Sequence, residues 1–207
     1  MPIYKTITIS TNTKLAIWHI EEALDDLAQN VTLSTYCQQK YEAMGSLIHR
    51  KGFLSIRHLL AYFGYSDQDL EYDEKGKPHL KDGNFISISH SFQYTGLIIS
   101  DKPVGIDIEK QRSKIKNIAA KFTPFKKYSH IRDDDELMRK LTIVWCAKES
   151  TYKLYGKKGL FFLRDMDVDD FEIKDGATTV NVLNQKDQPQ YQIKFLEFDG
   201  FTCAYTY

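Results

Sequence analysis

Two acidic side chains in one short segment give this chain its clearest potential for chemistry. Asp107 and Glu109 stand two residues apart in an apolar, strand-like stretch, and side chains two apart in a strand share one face. Two carboxylates on one face repel each other unless a cation lies between them, and Mg²⁺ prefers oxygen ligands of this kind. The segment therefore predicts a divalent-metal site, although an exposed acidic strand face would show the same pattern.

A second segment, residues 145–153, combines a carboxylate and a lysine in a predicted helix. Glu149 and Lys153 are four residues apart and lie on one helix face, and Trp145 precedes Glu149 by the same spacing. Alone, the pair fits a surface ion pair worth roughly 0.3–0.5 kcal/mol. If the same face meets Asp107 and Glu109, Glu149 adds a third carboxylate to the metal site and Lys153 is placed to bind a phosphate.

Three further groups offer hydrogen-bond donors for phosphate oxygens. Ser89 and His90 lie at the end of a predicted strand, and Lys77 precedes Pro78 in a tight turn. Arg50 and Arg57 lie on one face of a predicted helix. Each has a plainer interpretation. These are a polar strand end with a satisfied histidine, a solvated hairpin tip and a solvent-facing basic helix edge.

Residues 110–127 contain seven lysines and arginines and no acidic residue. Such a run is usually a solvated face. Because it begins directly after the predicted metal strand, it would also suit the steering of an acidic partner to that site. Apolar residues at near-helical spacing within the run predict a short amphipathic element.

Composition narrows the class of protein. The formal net charge is zero, so nothing global indicates nucleic acid or an anionic membrane as a partner. The three cysteines have no metal-ligand spacing and predict reduced thiols in a cytoplasmic protein. We see no basic, apolar leader at the N-terminus and no apolar run of about 18–20 residues that would span a membrane.

The hydrophobic pattern predicts an α+β fold of antiparallel sheets and packed helices. Predicted strands cover residues 3–9, 85–89, 95–100, 104–109, 168–173, 178–183, 191–198 and 201–207. Predicted helices cover residues 18–27, 34–62 and 133–155, with Gly45 and Gly52 as candidate breaks and Gly156 as the final stop. A turn at residues 101–103 predicts a boundary between two lobes, 1–102 and 103–207.

In their order and spacing, these motifs resemble the 4'-phosphopantetheinyl transferase superfamily, and the chain looks like its long, surfactin-synthetase-activator type. Four segments carry the resemblance: Gly76-Lys77-Pro78-His79-Leu80, Phe85-Ile86-Ser87-Ile88-Ser89-His90-Ser91, Val104-Gly105-Ile106-Asp107-Ile108-Glu109 and Trp145-Cys146-Ala147-Lys148-Glu149-Ser150-Thr151-Tyr152-Lys153. Residues 50–57 and 156–160 are weaker matches. The resemblance covers about residues 40–165.

The resemblance implies a pseudo-dimer of two similar α+β lobes with coenzyme A bound between them. Lobe 1–102 would take the nucleotide side of coenzyme A, and lobe 103–207 would carry the Mg²⁺ site and the catalytic helix. The implied reaction moves 4'-phosphopantetheine from coenzyme A to a serine of an apo acyl or peptidyl carrier protein and releases adenosine 3',5'-bisphosphate. Carrier proteins of this kind are typically acidic, which fits docking near residues 110–127.

The motifs also imply roles for single residues. Asp107, Glu109 and Glu149 would hold Mg²⁺, and Lys153 would bind the pyrophosphate. The nucleotide and its phosphates would meet Arg50, Arg57, Lys77, Pro78, Ser89 and His90. Glu149 is our candidate for the base that takes the serine proton, directly or through a water, although metal ligation would lower its basicity.

Two departures from the family pattern concern the base. Ser87 replaces an asparagine that is common in the family strand, and Phe122 is followed by Lys126 and Lys127 where many relatives have a glutamate. Two other functions stay open: a non-catalytic relative that binds coenzyme A or a carrier protein, and a Mg²⁺-dependent phosphohydrolase. Fatty-acid, polyketide and peptide-synthetase carriers all fit the sequence, and we expect a monomer because both lobes lie in one chain.

Overall fold

The computed structural model describes residues 3–156, 159–183 and 188–207. Residue contacts divide the chain into two units, Met1–Pro103 and Val104–Tyr207. Both units combine helices with antiparallel strands, which confirms the predicted α+β class. The pseudo-dimer and the separate roles of the two lobes stay predictions.

The N-terminal unit is built on a four-stranded antiparallel sheet with the strand order β1-β2-β6-β5. Its strands are β1 (Ile3–Thr8), β2 (Lys14–His19), β3 (Leu70–Tyr72), β4 (Pro78–Leu80), β5 (Phe85–Ser91) and β6 (Tyr94–Ser100), of which β3 and β4 form a separate hairpin. Its helices are α1 (Leu24–Ala28), α2 (Thr35–Glu42) and α3 (Leu47–Tyr62). Helix α3 packs on β2 and β6 and closes the core of this unit.

One helix prediction in this unit was wrong, and a second was right in its candidate break at Gly45. Trp18 lies in strand β2, because the run from Leu15 to Trp18 is almost wholly buried between β1 and β6, as a continuous apolar strand requires. The predicted helix 34–62 is two helices that are separated around Gly45. Ser34 caps the first of them, as predicted, and its Oγ accepts from the Cys37 amide at 3.4 Å.

The C-terminal unit has a five-stranded antiparallel sheet with the strand order β7-β11-β10-β9-β8. Its strands are β7 (Gly105–Lys110), β8 (Met166–Val168), β9 (Ala177–Val182), β10 (Gln190–Phe198) and β11 (Phe201–Thr206). Its helices are α4 (Ile115–Ile118), α5 (Asp134–Tyr155) and α6 (Phe162–Asp165). Helix α5 crosses the sheet mainly over β7 and β11.

Helix α5 begins and ends where the sequence predicts. The Asp133 carboxylate accepts from the Glu136 amide at 2.7 Å, and Gly156 ends the helix in a left-handed conformation with φ of 66°. The predicted strand 168–173 was wrong, because β8 stops at Val168 and a 3-10 turn with its own capping box follows at Ile173–Asp175. In the weaker family match 156–160, residues 157 and 158 lie outside the described residues.

Strand β7 is buried on both faces. Its acidic face, with Asp107, is the one that packs on α5, whereas Ile106 and Ile108 are buried on the opposite face and lie outside the helix-packed core. The prediction that these isoleucines are buried was right. However, it is the acidic face of β7, and not the isoleucine face, that packs against helix α5. Within the described ranges, no helix has the length and apolarity needed to cross a bilayer.

Candidate functional site

Gly105 brings helix α5 into direct contact with strand β7. A Cβ at this position would lie 1.8 Å from the Ser150 carbonyl oxygen and 3.1 Å from the Leu154 amide nitrogen. Only glycine therefore allows the helix backbone to lie so close to the strand. The contact falls between Glu149 and Lys153, so it sets the distance of both side chains from the acidic face of β7.

Two of the predicted site residues, Asp107 and Lys153, meet at this contact. Lys153 Nζ donates to Asp107 Oδ1 at 2.8 Å and to the Ile106 carbonyl at 2.9 Å. The Asp107 side chain is 7% exposed and that of Lys153 is 28% exposed. The pair is thus a partly buried ion pair, which is more than the surface pair that the helix spacing alone would allow.

Glu149 lies in the same acidic surroundings. Burial, followed by the negative charge of Asp107, raises the pKa of Glu149 to about 7, Lys153 opposes this shift, and Glu109 adds to it. Three carboxylates therefore feel one another's charge across the strand and the helix. A bound divalent cation would relieve that repulsion.

The donor set fits a hard cation in its chemistry. Mg²⁺ prefers oxygen ligands, and it is commonly bound by one or two carboxylates together with waters and phosphate oxygens. In residues 3–156, 159–183 and 188–207, no three acidic, histidine or cysteine side chains stand close enough to form a metal cluster. Asp107, Glu109 and Glu149 as ligands therefore stay a prediction, and in this structure the cation on Asp107 is Lys153.

A cavity of about 370 Å³ lies in the N-terminal unit beside three of the other predicted site residues. Arg57, Pro78 and His90 line it, together with Lys40, His49 and Tyr72. Its volume is within the range typical of small-molecule sites. The cavity brings residues from α2, α3, the β3–β4 hairpin and β5 to one place, as the family resemblance implies for a nucleotide site.

His90 is held against helix α3 at the edge of this cavity. A Cβ on Gly52 would come within 2.4 Å of the imidazole, so the glycine that we expected to break the helix instead makes room for His90. The His90 Nε2 lies 2.7 Å from the Phe92 carbonyl oxygen. Burial lowers the pKa of His90, the Phe92 carbonyl opposes this, and His49 lowers the pKa further.

Lys77 and Ser89 are chain neighbours of residues that line this cavity, but neither is part of the lining. The β3–β4 turn is closed by Asp73, which accepts from the Lys77 backbone amide at 2.9 Å, and the Gly76 φ of 79° presents the lysine. Burial lowers the pKa of the half-buried Lys77 side chain, and Asp73 opposes that shift. Ser89 is buried in β5 at 6% exposure.

The side chains of the two arginines on α3 are bonded to groups of the protein itself, unlike the phosphate-binding row that the sequence suggested. The guanidinium of Arg57 is buried and donates to Asp67 Oδ1 at 2.8 Å, to the Phe53 carbonyl at 3.0 Å and to Cys37 Sγ at 3.1 Å. Arg50 donates to the Met44 carbonyl at 2.8 Å. Both arginines therefore hold the N-terminal unit together here, and their contact with a nucleotide stays a prediction.

A smaller groove of about 190 Å³ adjoins the acidic face in the C-terminal unit. Glu109 and Trp145 line it together with Ile115 and Ile118 of α4, and Arg112 and Lys114 bring positive charge to it. This groove joins the proposed metal strand to the basic run. Trp145 was placed on the Glu149 face by spacing, whereas nothing in the sequence indicated a groove here.

Sequence reasoning gave no distinct role to Lys148. Its side chain is fully buried, and its Nζ lies 2.6–2.7 Å from three backbone carbonyl oxygens. Burial lowers the pKa of Lys148 to about 8, with Asp167 raising it and Lys127 lowering it. Lys40 and His49 were also missed as cavity residues, because single polar residues on helices carry no spacing signal.

The comparisons with known proteins identify a family for this chain. The family model of the 4'-phosphopantetheinyl transferase superfamily matches residues 103–206, just over half of the chain. The chain therefore belongs to the 4'-phosphopantetheinyl transferase superfamily, which confirms the predicted family.

Curated relatives bear names of the same type. The chain is 34% identical over 140 residues to the 4'-phosphopantetheinyl transferase Sfp of Bacillus subtilis (strain 168), an alignment that covers 65% of this chain and 59% of the relative. It is 26% identical over 166 residues to the 4'-phosphopantetheinyl transferase gsp of Aneurinibacillus migulanus, covering 78% of this chain and 65% of the relative. The chain thus spans less than two thirds of the length of either relative.

Proposed function

We propose that this chain transfers 4'-phosphopantetheine from coenzyme A to a serine of an apo acyl or peptidyl carrier protein, with Mg²⁺, and releases adenosine 3',5'-bisphosphate. The observation that carries the proposal is the meeting of Asp107, Lys153 and Glu149 at the Gly105 contact. Membership of the superfamily and the names of the relatives give it independent support.

Each unit, taken by itself, holds residues with a proposed role in the reaction. In the N-terminal unit, the cavity beside Pro78 and His90 takes the nucleotide, with Lys77 and Ser89 as further donors to its phosphates. In the C-terminal unit, Asp107, Glu109 and Glu149 would hold the cation and Lys153 would bind the pyrophosphate. Arg50 and Arg57 keep the walls of the nucleotide site in place and are weaker candidates for direct contact.

The proposed chemistry is a phosphoryl-type transfer. The serine oxygen forms a bond to the β-phosphorus, the bond from that phosphorus to the leaving nucleotide breaks, and the serine proton goes to Glu149 directly or through a water. Glu149 suits this role because its pKa of about 7 lies near working pH. Bound Mg²⁺ would supply charge stabilisation for the pyrophosphate and would lower that pKa.

The proposed partner is an acidic carrier protein. Arg112, Lys114, Lys121 and Lys126 of the basic run are exposed, whereas Lys116 is already paired with Asp134 at 3.0 Å. The exposed charges would steer an acidic surface toward the neighbouring groove at Glu109. The monomeric state and the cytoplasmic location stay predictions.

Intact-protein mass spectrometry tests the function directly. An apo acyl carrier protein is incubated with this chain, coenzyme A and Mg²⁺, and the expected result is a mass gain of one phosphopantetheine that EDTA abolishes. The matched control is a carrier protein whose acceptor serine is replaced by alanine. Absence of the gain on fatty-acid, polyketide and peptide-synthetase carriers would refute the proposal.

The same assay separates the alternatives. Retained coenzyme A binding without transfer would support a non-catalytic relative. Release of phosphate from nucleotides without any carrier protein would support a phosphohydrolase. The geometry favours transfer over both, because Lys153 and the three acidic residues of the family motifs are all present.

A further inference from the structure

Lys148 sits beside Glu149 in the sequence but points away from the acidic face. Its side chain has no solvent exposure. Its Nζ donates to the carbonyl oxygens of Phe122 at 2.6 Å, Phe162 at 2.7 Å and Met166 at 2.6 Å. An ammonium group has three N–H donors, so all of them are used within the protein.

The three carbonyls belong to two segments that are distant in sequence. Phe122 follows the 3-10 turn that ends at Lys121 in the basic run, whereas Phe162 and Met166 begin α6 and β8. Burying an ammonium is costly unless its hydrogen bonds are made inside the protein. The two segments must therefore stay in place around Lys148 for as long as the ammonium is buried.

The side chains of these segments form an aromatic wall. The Phe122 and Phe162 rings lie 5.1 and 5.5 Å from the Trp145 ring, centroid to centroid, and Phe162 also lies 5.9 Å from Tyr152. Trp145 in turn lines the groove that contains Glu109. A chain of contacts thus leads from the buried lysine through two phenylalanines to the side of the groove.

We propose that Lys148 is a positioning residue, which fixes Phe122 and Phe162 against Trp145 and so sets the shape of the groove at Glu109. The assignment rests on the proposed function, because it is transfer at this groove that Lys148 would serve. Lys148 itself touches neither coenzyme A nor the carrier protein. A second, partly exposed contact joins the same segments, since Lys127 Nζ pairs with Asp167 of β8 at 3.2 Å.

The test compares Lys148→Met with Lys140→Met. Lys140 is a suitable control because it lies on the same helix and is 4% exposed, yet its Nζ contacts the exposed Asp170 carboxylate at 3.2 Å. Both variants are made in a Trp18→Phe background, which leaves Trp145 as the only tryptophan. The readouts are Trp145 fluorescence, hydrogen exchange of residues 119–128 and 162–168, and the kinetics of transfer.

We expect Lys148→Met to shift the emission of Trp145 and to speed amide exchange in both segments. We expect kcat to fall roughly 10- to 100-fold, because small misplacements at a site have effects of this size, while KM for coenzyme A changes less than about threefold. Lys140→Met should leave all of these values unchanged. An unaltered kcat in a folded Lys148→Met variant would show that Lys148 only stabilises the fold. A large rise in KM would show that Lys148 contributes to substrate binding. Either result would overturn the proposal.

A further measurement does not depend on the variant folding. In the native wild-type protein without coenzyme A, an amine-modifying reagent should label Lys153 and leave Lys148 unmodified. Added coenzyme A should protect Lys153 and leave Lys148 as unreactive as before. Labelling of Lys148 at a rate similar to Lys153 would contradict the buried contact. If the wild type transfers nothing to any carrier, the proposed function fails, whereas the fluorescence, exchange and labelling results still decide whether Lys148 holds the aromatic wall.

Discussion

Replacing Gly105 with alanine should damage the site far more than the fold. The new Cβ would lie 1.8 Å from the Ser150 carbonyl oxygen and 2.8 Å from its carbon. These are backbone atoms in the interior of helix α5, which cannot rotate aside as a side chain would. The helix must therefore move away from β7 by roughly 1 Å or more, at an overpacking cost of about 1–3 kcal/mol.

That movement falls on the residues that carry the proposed chemistry. Glu149 precedes Ser150, and Lys153 precedes Leu154, whose amide would lie 3.1 Å from the same Cβ. A misplacement of roughly 1 Å can lower a catalytic rate on the order of 100-fold. Since domains are typically stable by about 5–15 kcal/mol, the variant should still fold.

The assay is the rate of phosphopantetheine transfer, measured beside urea unfolding. Gly45→Ala is the matched control, because a Cβ at Gly45 meets no atom within 4 Å and should leave the rate unchanged. Gly105→Ala should retain a cooperative unfolding transition and lose on the order of 100-fold in kcat. A folded Gly105→Ala variant with wild-type kcat would show that the close approach of α5 and β7 does not position the reacting groups.

Three further perturbations test other parts of the structure. Asp107→Ala should abolish transfer without loss of fold, by mass spectrometry and circular dichroism, and retained transfer would remove the metal assignment. Gly52→Ala should displace His90 and weaken coenzyme A binding about tenfold or more by calorimetry, and unchanged affinity would separate His90 from the nucleotide site. Burial alone would raise the pKa of Asp67, but the Ser34 amide and Arg57 outweigh burial, so the pKa of this carboxyl is lowered. The Asp67 carboxylate therefore stabilises the fold at pH values above its unfolded pKa of about 4. This stabilisation is lost as the pH falls through the lower pKa of the folded state. Asp67→Asn should therefore cost about 3–5 kcal/mol at pH 7 in urea unfolding and flatten the acid dependence of stability, and an unchanged dependence would contradict the pairing.

The sequence predicted elements best where local signals were strong. Helix α5 has a capping aspartate and a terminal glycine, and the alternating strand β5 is joined to β6 by a short turn, so the bounds of these elements follow from nearby residues. The end of strand β2 at Trp18 was assigned to a helix, because the burial of this strand comes from two neighbouring strands, which spacing in one segment does not reveal.

For the candidate site, too, local signals led to predictions whereas long-range contacts could not be foreseen. Asp107, Glu149 and Lys153 could be placed together because motif order and strand and helix periodicity both restrict them. The partners of Arg57 and Lys148 could not, since Cys37 and Asp67 in one case and three backbone carbonyls in the other are long-range contacts. A charged residue in a motif therefore gave no sign of whether it faces a ligand or the protein interior.

The burial of the cysteines bears on redox behaviour. Cys37, Cys146 and Cys203 are all buried, and none forms a disulfide. Burial, aided by the charges of Asp107 and Glu109, raises the pKa of Cys146 and so disfavours its thiolate. Thiol–disulfide exchange needs an accessible thiolate, and coenzyme A ends in a thiol. Under the proposed function, this chain would bind such a substrate without an exposed cysteine of its own, and it should therefore resist mixed-disulfide formation with coenzyme A even in an oxidising solution.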